Sequence, residues 1–309
     1  MNQLVSIIIP VFNRFELARR AIISVLSQKY VTWELIVVDD YSSHPFSLPD
    51  EVRSFKQNCL LIRNENNLGP GLTRQKGLDI CKGEFVCFLD SDDYYHSDFI
   101  LDSLKIHNEN NGIAATYATS KYINTDTIRA GSDCDYITIM PTLFMYNRPW
   151  PTCSWLWKRK YISSWRDVRT NQDSLFELEC SLNNNSIRHV PRILCYIDKG
   201  TGSNTEDLVS QLNSDLDRNI IVHFALNHLN EYNFIGLEYK QLKDSIIKRF
   251  VFVTSKLAGH GRFSNVFQNG LRLLQFDRKV GFILVILSLP LTLPFPIFRQ
   301  LIKKIIIKL

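Results

Sequence analysis

Three carboxylates stand within four residues at Asp90-Ser91-Asp92-Asp93. Crowded carboxylates repel one another and favour each other's protonated form, so the group is comfortable only with a cation among them. Oxygen ligands on a loop suit a hard divalent ion, Mg²⁺ or Mn²⁺, that keeps waters and completes its shell with substrate phosphates. Asp92, Asp90 and Asp93 are therefore the candidate metal ligands, and the implied site holds a metal and a diphosphate. An isolated Asp-X-Asp is more commonly a turn that caps a helix; here the context differs. The aspartates follow the apolar run Glu84–Leu89, and in open α/β sheets ligands bind at the C-terminal ends of strands.

Other polar residues fall at equivalent places. Asp39 and Asp40 end the apolar stretch Trp33–Val38 and, with Asp90, offer acceptors for the N–H and O–H groups of a base and ribose. Arg74 lies in an early turn of a helix opened by Asn67-Leu68-Gly69-Pro70-Gly71, where its forked donors suit a diphosphate. Asp173 precedes the helical stretch Ser174–Leu182 and is either an N-cap or a catalytic base. Trp150, Trp155 and Trp157 form a cluster that reads either as core or as stacking faces for a sugar acceptor.

The elements that must position these residues follow from periodicity. Val5–Pro10 reads as a strand and Phe15–Gln28 as a helix, followed by strands at Trp33–Val38, Cys59–Arg63 and Glu84–Leu89, with a helix to about Cys81. Ser97 or Asp98 is the expected cap of the next helix, and Ala114–Ile123 the next strand. Such alternation predicts an α/β fold, Rossmann-like, with a mainly parallel sheet flanked by helices. The expected division is a catalytic region over 1–205, with halves at about 1–122 and 123–205, a helical extension over 206–280, and a tail over 281–309.

Composition bounds the rest. The 309 residues are 45% hydrophobic and 22% charged, with net charge +5, enough apolar content for a sizeable core and too much for disorder. Seven cysteines without a C-x-x-C pair point to reduced core thiols. Residues 281–298 carry no charge, are interrupted by Pro290, Pro294 and Pro296, and are followed by a basic, amphipathic tail. That pattern predicts monotopic or re-entrant membrane attachment. Nothing in it calls for nucleic acid.

Taken together, Ser6–Asn13, Glu34–Asp40, Asn67-Leu68-Gly69 with Arg74, and Lys82–Val86 leading into Leu89–Asp93 resemble the inverting glycosyltransferase family with the GT-A fold, family 2, over roughly Val5–Asp198. The resemblance implies that Pro10, Phe12, Asn13 and Asp40 contact the nucleotide base. Asp90 with Ser91 would serve the ribose or metal, and Asp92 would be the principal ligand of Mn²⁺ or Mg²⁺. Asp173 would be the general base. Gln172 replaces the family's glutamate, which keeps Glu177 and Glu179 as rival bases and leaves Gln172 itself as an acceptor contact alongside Trp155 and Trp157. Cys195–Gly200 stands where a histidine ligand is often found. The further implication is transfer of one hexose from UDP-glucose or UDP-galactose to a lipid-diphosphate-linked N-acetylhexosamine, with a β-linked product, at the cytoplasmic face of a bacterial inner membrane. An aspartate-nucleophile phosphatase, which also places Asp-x-Asp after a strand, fits less well: Tyr94 stands where it carries threonine, and the motif follows three earlier strands.

Overall fold

The computed structural model describes residues 3–123, 125, 127–129, 137–140, 142–145, 149–168, 170–198, 208–232, 237–277, 280–281 and 284. The chain divides into two compact units, one of Met1–Val168 with Gln172–Ser203, the other of Arg169–Asn171 with Asn204–Leu309.

The first unit is built on a nine-stranded sheet. Its strands are β1 (Val5–Val11), β2 (Trp33–Asp39), β3 (Cys59–Arg63), β4 (Phe85–Phe88), β5 (Tyr94–Tyr95), β6 (Ala115–Tyr122), β7 (Ile128–Arg129), β8 (Trp155–Lys158) and β9 (Ile187–Ile197). They run in the order β3-β2-β1-β4-β8-β6-β9-β5, with β7 beside β6. Strands β3, β2, β1 and β4 are mutually parallel, in register Val5↔Trp33 and Val5↔Phe85. Helices α1 (Phe15–Leu26) and α2 (Pro70–Ile80) supply crossovers there, and a helical crossover is what makes neighbouring strands parallel.

Beyond β4 the expectation of a mainly parallel sheet fails. β8 is antiparallel to both β4 and β6, and β5 to β9, whereas β6 and β9 are parallel. β8 enters from the proline- and tryptophan-containing stretch, through a single turn at Thr152–Ser154 rather than a crossover helix, so nothing forces it parallel. Opposite the register shift of β6 between Ala118 and Thr119, β9 leaves Pro191 and Arg192 out of the pairing, a place where proline's missing N–H costs nothing.

Helices α3 (Phe99–Glu109), α4 (Thr142–Met145) and α5 (Gln172–Asn183) complete this unit. Two apolar layers cover the sheet, one on α1 and α3, the other containing Phe88, Trp155, Trp157, Trp165 and Phe176. α2 lies close on β1: a methyl on Gly77 would stand 2.5 Å from Ile8 Cγ2. Asp98 does stand at the N-cap of α3, but its side chain makes no capping bond and pairs with Lys29 and Arg192 instead.

The second unit is helical, with α6 (Leu208–Asn227), α7 (Leu237–Gly259) and α8 (Phe263–Leu273). Among the described residues no helix is long and apolar enough to cross a membrane. Apart from Gly281 and Leu284, the tail expected at 281–309 lies outside the described residues.

Candidate active site

The strand order 3-2-1-4 reverses direction between β1 and β4, and the loops that leave those two strands at their C-terminal ends stand at the usual ligand position in such sheets. The loop after β1 carries Phe12, Asn13 and Arg14. Asn13 takes a left-handed conformation (φ 55°), and its Oδ1 accepts the Ser43 backbone N–H at 2.8 Å, which ties it to the loop after β2. Pro10 is buried within β1, and Phe12 beyond it is exposed.

Asp39 and Asp40 are both buried and engaged by the chain itself. Asp39 accepts N–H groups of Ser42 (3.0 Å) and Phe46 (3.1 Å) and pairs with Arg63 at 2.7 Å. Burial raises its pKa, but these hydrogen bonds and Arg63 prevail and hold it below the ordinary aspartate value. Asp40 accepts Asn64 Nδ2 (2.8 Å) and the backbone N–H groups of Leu68 (2.8 Å) and Gly69 (2.9 Å), so it shapes the loop that opens α2. Neither is the open carboxylate expected from the sequence; a base would meet only the lone pairs left over. What faces outward at this corner is Tyr41, at φ 62° with the Arg63 guanidinium 5.3 Å from its ring centre.

After β4 the aspartates separate by environment. Asp90 pairs with Arg74, and Asp92 with Arg14; their side chains remain 31% and 26% exposed. Ser91 is buried. Asp93 turns inward, 5% exposed, and its Oδ1 accepts the Asp198 backbone N–H at 3.1 Å. Burial, then the charges of Asp90 and Asp92, push its carboxyl well above the usual range. Asp93 is thus a structural carboxyl in this geometry and not the third metal ligand expected. Burial and the Asp90 charge also raise Asp92, with Arg14 opposing them.

Several neighbours of this loop escaped the sequence reading. Arg20 on α1 donates to the Asp92 carbonyl (2.6 Å) and to Asp198 (3.0 Å) while lying 5.1 Å from the Tyr94 ring centre. Tyr94 in turn stacks on Tyr196. Asp198, Arg14 and Arg20 are brought there by strand pairing and helix packing over 72 to 178 residues of separation, which no local pattern signals. Among the described residues no three His, Cys, Asp or Glu side chains form a group able to hold a metal by themselves. The oxygen donors present fit an ion that takes Asp92 and Asp90 from the protein and phosphate and water for the rest.

Arg74 is 4% exposed, and its ring-stacked guanidinium lies 4.8 Å from the Trp165 centroid. One of its terminal nitrogens pairs with Asp90; Nε and Nη1 are buried with no hydrogen-bond partner. Unsatisfied buried donors on a cation are costly, and an anion arriving beside Asp90 would relieve them.

Asp173 sits in the first turn of α5, partly exposed, where a carboxylate is favoured by the helix dipole. Its Oδ1 accepts the Ser174 N–H at 2.9 Å and its Oδ2 the Thr152 hydroxyl at 3.4 Å. Gln172 connects it to the rest of the site: a methyl on Gly71 would stand 2.6 Å from Gln172 Oε1. The start of α5 therefore abuts the start of α2, one turn before Arg74.

The rival bases are removed by their surroundings. Both Glu177 oxygens accept indole N–H groups, from Trp150 (2.8 Å) and Trp155 (2.9 Å), with 1% of the residue exposed. Glu179 pairs with Arg166 and Ser163. Trp155 and Trp157 are themselves 1% exposed and pack on one another, Trp155 also on Trp150 and Trp157 on Phe176. They are core, and the stacking platform for an acceptor sugar expected from them is not there.

A half of parallel strands, an aspartate loop at the switch point and a mixed outer sheet resemble the GT-A class of glycosyltransferase fold. Staphylococcus aureus TarS, residues 1–349, solved in complex with UDP-GlcNAc, shares this fold at TM-score 0.65 and 18% identity, covering 91% of this chain and 89% of that one. Residues 6–154 match glycosyl transferase family 2, and the chain carries a domain of that family. Among curated relatives, an uncharacterized glycosyltransferase of Rickettsia felis is 40% identical over 111 residues, 35% of this chain and 18% of that protein. The Escherichia coli UDP-Glc:alpha-D-GlcNAc-diphosphoundecaprenol beta-1,3-glucosyltransferase WfgD is 35% identical over 128 residues, 41% of this chain and 49% of that protein. The chain thus spans less than half the length of these two relatives.

Proposed function

We propose that the protein is an inverting, metal-dependent glycosyltransferase of bacterial polysaccharide assembly. It transfers one hexose from UDP-glucose or UDP-galactose to an undecaprenyl-diphosphate-linked N-acetylhexosamine and leaves a β linkage. The observation that carries this reading is Arg74: two buried, unpartnered donors beside Asp90, at the C-terminal ends of β1 and β4, call for a diphosphate. Phe12 and Tyr41 offer exposed aromatic faces to a base at the same edge. WfgD, by its name, uses UDP-glucose and a diphosphoundecaprenol-linked GlcNAc, which supports the choice of donor and acceptor.

In this reading Asp173 takes the proton of the acceptor hydroxyl as that oxygen bonds to the anomeric carbon. The bond from that carbon to the diphosphate oxygen breaks, and its electron pair leaves with UDP. Arg74 orients the diphosphate and offsets its growing charge. A Mn²⁺ or Mg²⁺ ion held by Asp92 and Asp90 would supply further charge neutralisation of the leaving group. Attack from the face opposite an α-linked UDP gives the β product. Work at the cytoplasmic face of the inner membrane, with attachment through 281–309, belongs to the same proposal.

The test is transfer of radiolabelled hexose from UDP-glucose, UDP-galactose, UDP-N-acetylglucosamine and dTDP-rhamnose to a synthetic lipid-diphospho-N-acetylglucosamine, with Mn²⁺ and with a chelator. Chelator-sensitive transfer from a UDP-hexose is the expected result. Transfer only from dTDP-rhamnose or UDP-N-acetylglucosamine, or only to longer lipid-linked oligosaccharides, would replace the donor or acceptor assigned here.

A further inference from the structure

Helix α8 has two unlike faces. Val266, Asn269, Gly270 and Leu273 are buried, while Phe263, Phe267 and Leu271 point outward with 50%, 38% and 45% of their surface exposed. These three recur every four residues, so they form one stripe along three turns. A parallel stripe of Ser264, Gln268 and Arg272 borders it, also exposed. Two large aromatic side chains and a leucine in line on one surface helix are more than the scattered apolar exposure normal for a soluble protein.

Charge says what would cover the stripe. From Arg262 to Leu309 the chain holds eight Lys or Arg residues against a single acid, Asp277. The first turn of α8, where an acidic residue would be favoured by the helix dipole, has none. An amphipathic helix with an apolar stripe, a polar border and basic residues is the pattern that lies flat in a lipid headgroup region. It leads directly into the uncharged run 281–298 and its basic tail.

From this we infer that α8 is an in-plane docking helix for an anionic bilayer, with Phe263, Phe267 and Leu271 inserted below the headgroups and Arg262 and Arg272 at the phosphates. α8 belongs to the helical unit and the donor residues to the other, and the inference does not depend on the transferase reading. It makes attachment a property of the folded helical unit as well as of the tail.

Flotation of the full chain with vesicles tests it. The wild type should float with phosphatidylglycerol-containing vesicles far more than with phosphatidylcholine alone, and less at high salt. The double variant Phe263→Ser/Phe267→Ser should lose about tenfold or more of that binding. Both positions are exposed, so melting temperature and UDP binding should stay unchanged; loss of UDP binding by the wild type would count against the proposed function and not against α8. As a local readout, Phe267→Trp in the full chain should gain fluorescence quenching by brominated lipids beyond the wild-type background. Equal flotation of variant and wild type with no added quenching would assign attachment to 281–309 alone and overturn the inference. So would binding indifferent to phosphatidylglycerol, or a wild-type dimer that the double variant dissolves, which would make the stripe a self-association surface.

Discussion

Two carboxylates on α5 four residues apart illustrate how burial separates chemistry from architecture. Asp173 is partly exposed, and the bonds from Ser174 and Thr152 fix its orientation; Glu177 is sealed between two indole N–H donors. Asp173→Asn should keep UDP binding within about twofold and lower transfer by roughly 10²–10⁴-fold, the usual range for a general base. Calorimetric titration with UDP alongside a single-turnover assay measures both. Glu177→Gln should do the reverse. Its amide would set a donor against an indole donor, at about 1–3 kcal/mol for the bond lost and the group left unsatisfied, so the melting temperature falls while turnover at low temperature persists. If Glu177→Gln abolished transfer without lowering the melting point, the roles would have to be exchanged. The aspartate loop was legible because an apolar strand running into acids is a local pattern. The inward turn of Asp93 was not, since it depends on Asp198 arriving just after β9, 105 residues later.

At the scale of elements, the four parallel strands could be read from the sequence since each is an apolar run ended by polar residues. β8 could not. Its four residues, Trp-Leu-Trp-Lys, follow prolines and alternate too briefly to show a period, and its antiparallel pairing is set by β4 and β6 alone. His107 on α3 reports on this same part of the sheet. Its Nε2 lies 3.0 Å from the Leu156 carbonyl of β8, and its ring meets Phe85 of β4 edge-on at 4.8 Å. Burial lowers its pKa to about 4. The folded state therefore holds a neutral imidazole while the unfolded chain takes a proton below about pH 6.5, so stability is intact above that pH and falls as pH drops towards 4. Over that window the loss sums to about 3 kcal/mol. Denaturant melts at pH 7 and pH 4.5 should show this decline for the wild type and a smaller one for His107→Gln; identical slopes would refute it. On the opposite layer, Gly77→Ala drives a methyl into Ile8 and should destabilise by about 1–3 kcal/mol through overpacking, seen as a lower urea midpoint at unchanged m-value.

For the molecule as a whole, the sequence predicts a helical extension over 206–280 but gives no sign that the three residues Arg169–Asn171 group with it. Arg169–Asn171 groups with the helical unit, and the chain crosses back at Gln172, one residue before Asp173. Within that unit Asp217 on α6 accepts both the Thr170 backbone N–H and the Thr170 hydroxyl, each at 2.8 Å. Asn171 beside it is held at φ 52°, a left-handed conformation that asparagine tolerates and that needs support, and its amide reaches Thr170 and Ser214. Thr170 and Asn171 are thus fixed within the helical unit, and in sequence they run straight into Gln172 and the proposed base. Loosening that anchor should displace Asp173 slightly without touching donor or metal residues, and displacements of about 1 Å can cost up to about 10²-fold in rate. Asp217→Ala is accordingly expected to lower kcat by about tenfold or more while the KM for the nucleotide sugar stays within about twofold. Asp217→Asn, which keeps one acceptor oxygen for Thr170, should recover part of the loss. Steady-state kinetics of the two variants beside their melting curves decides the matter: a fall in stability with kcat unchanged would leave the 169–171 anchor a purely structural contact.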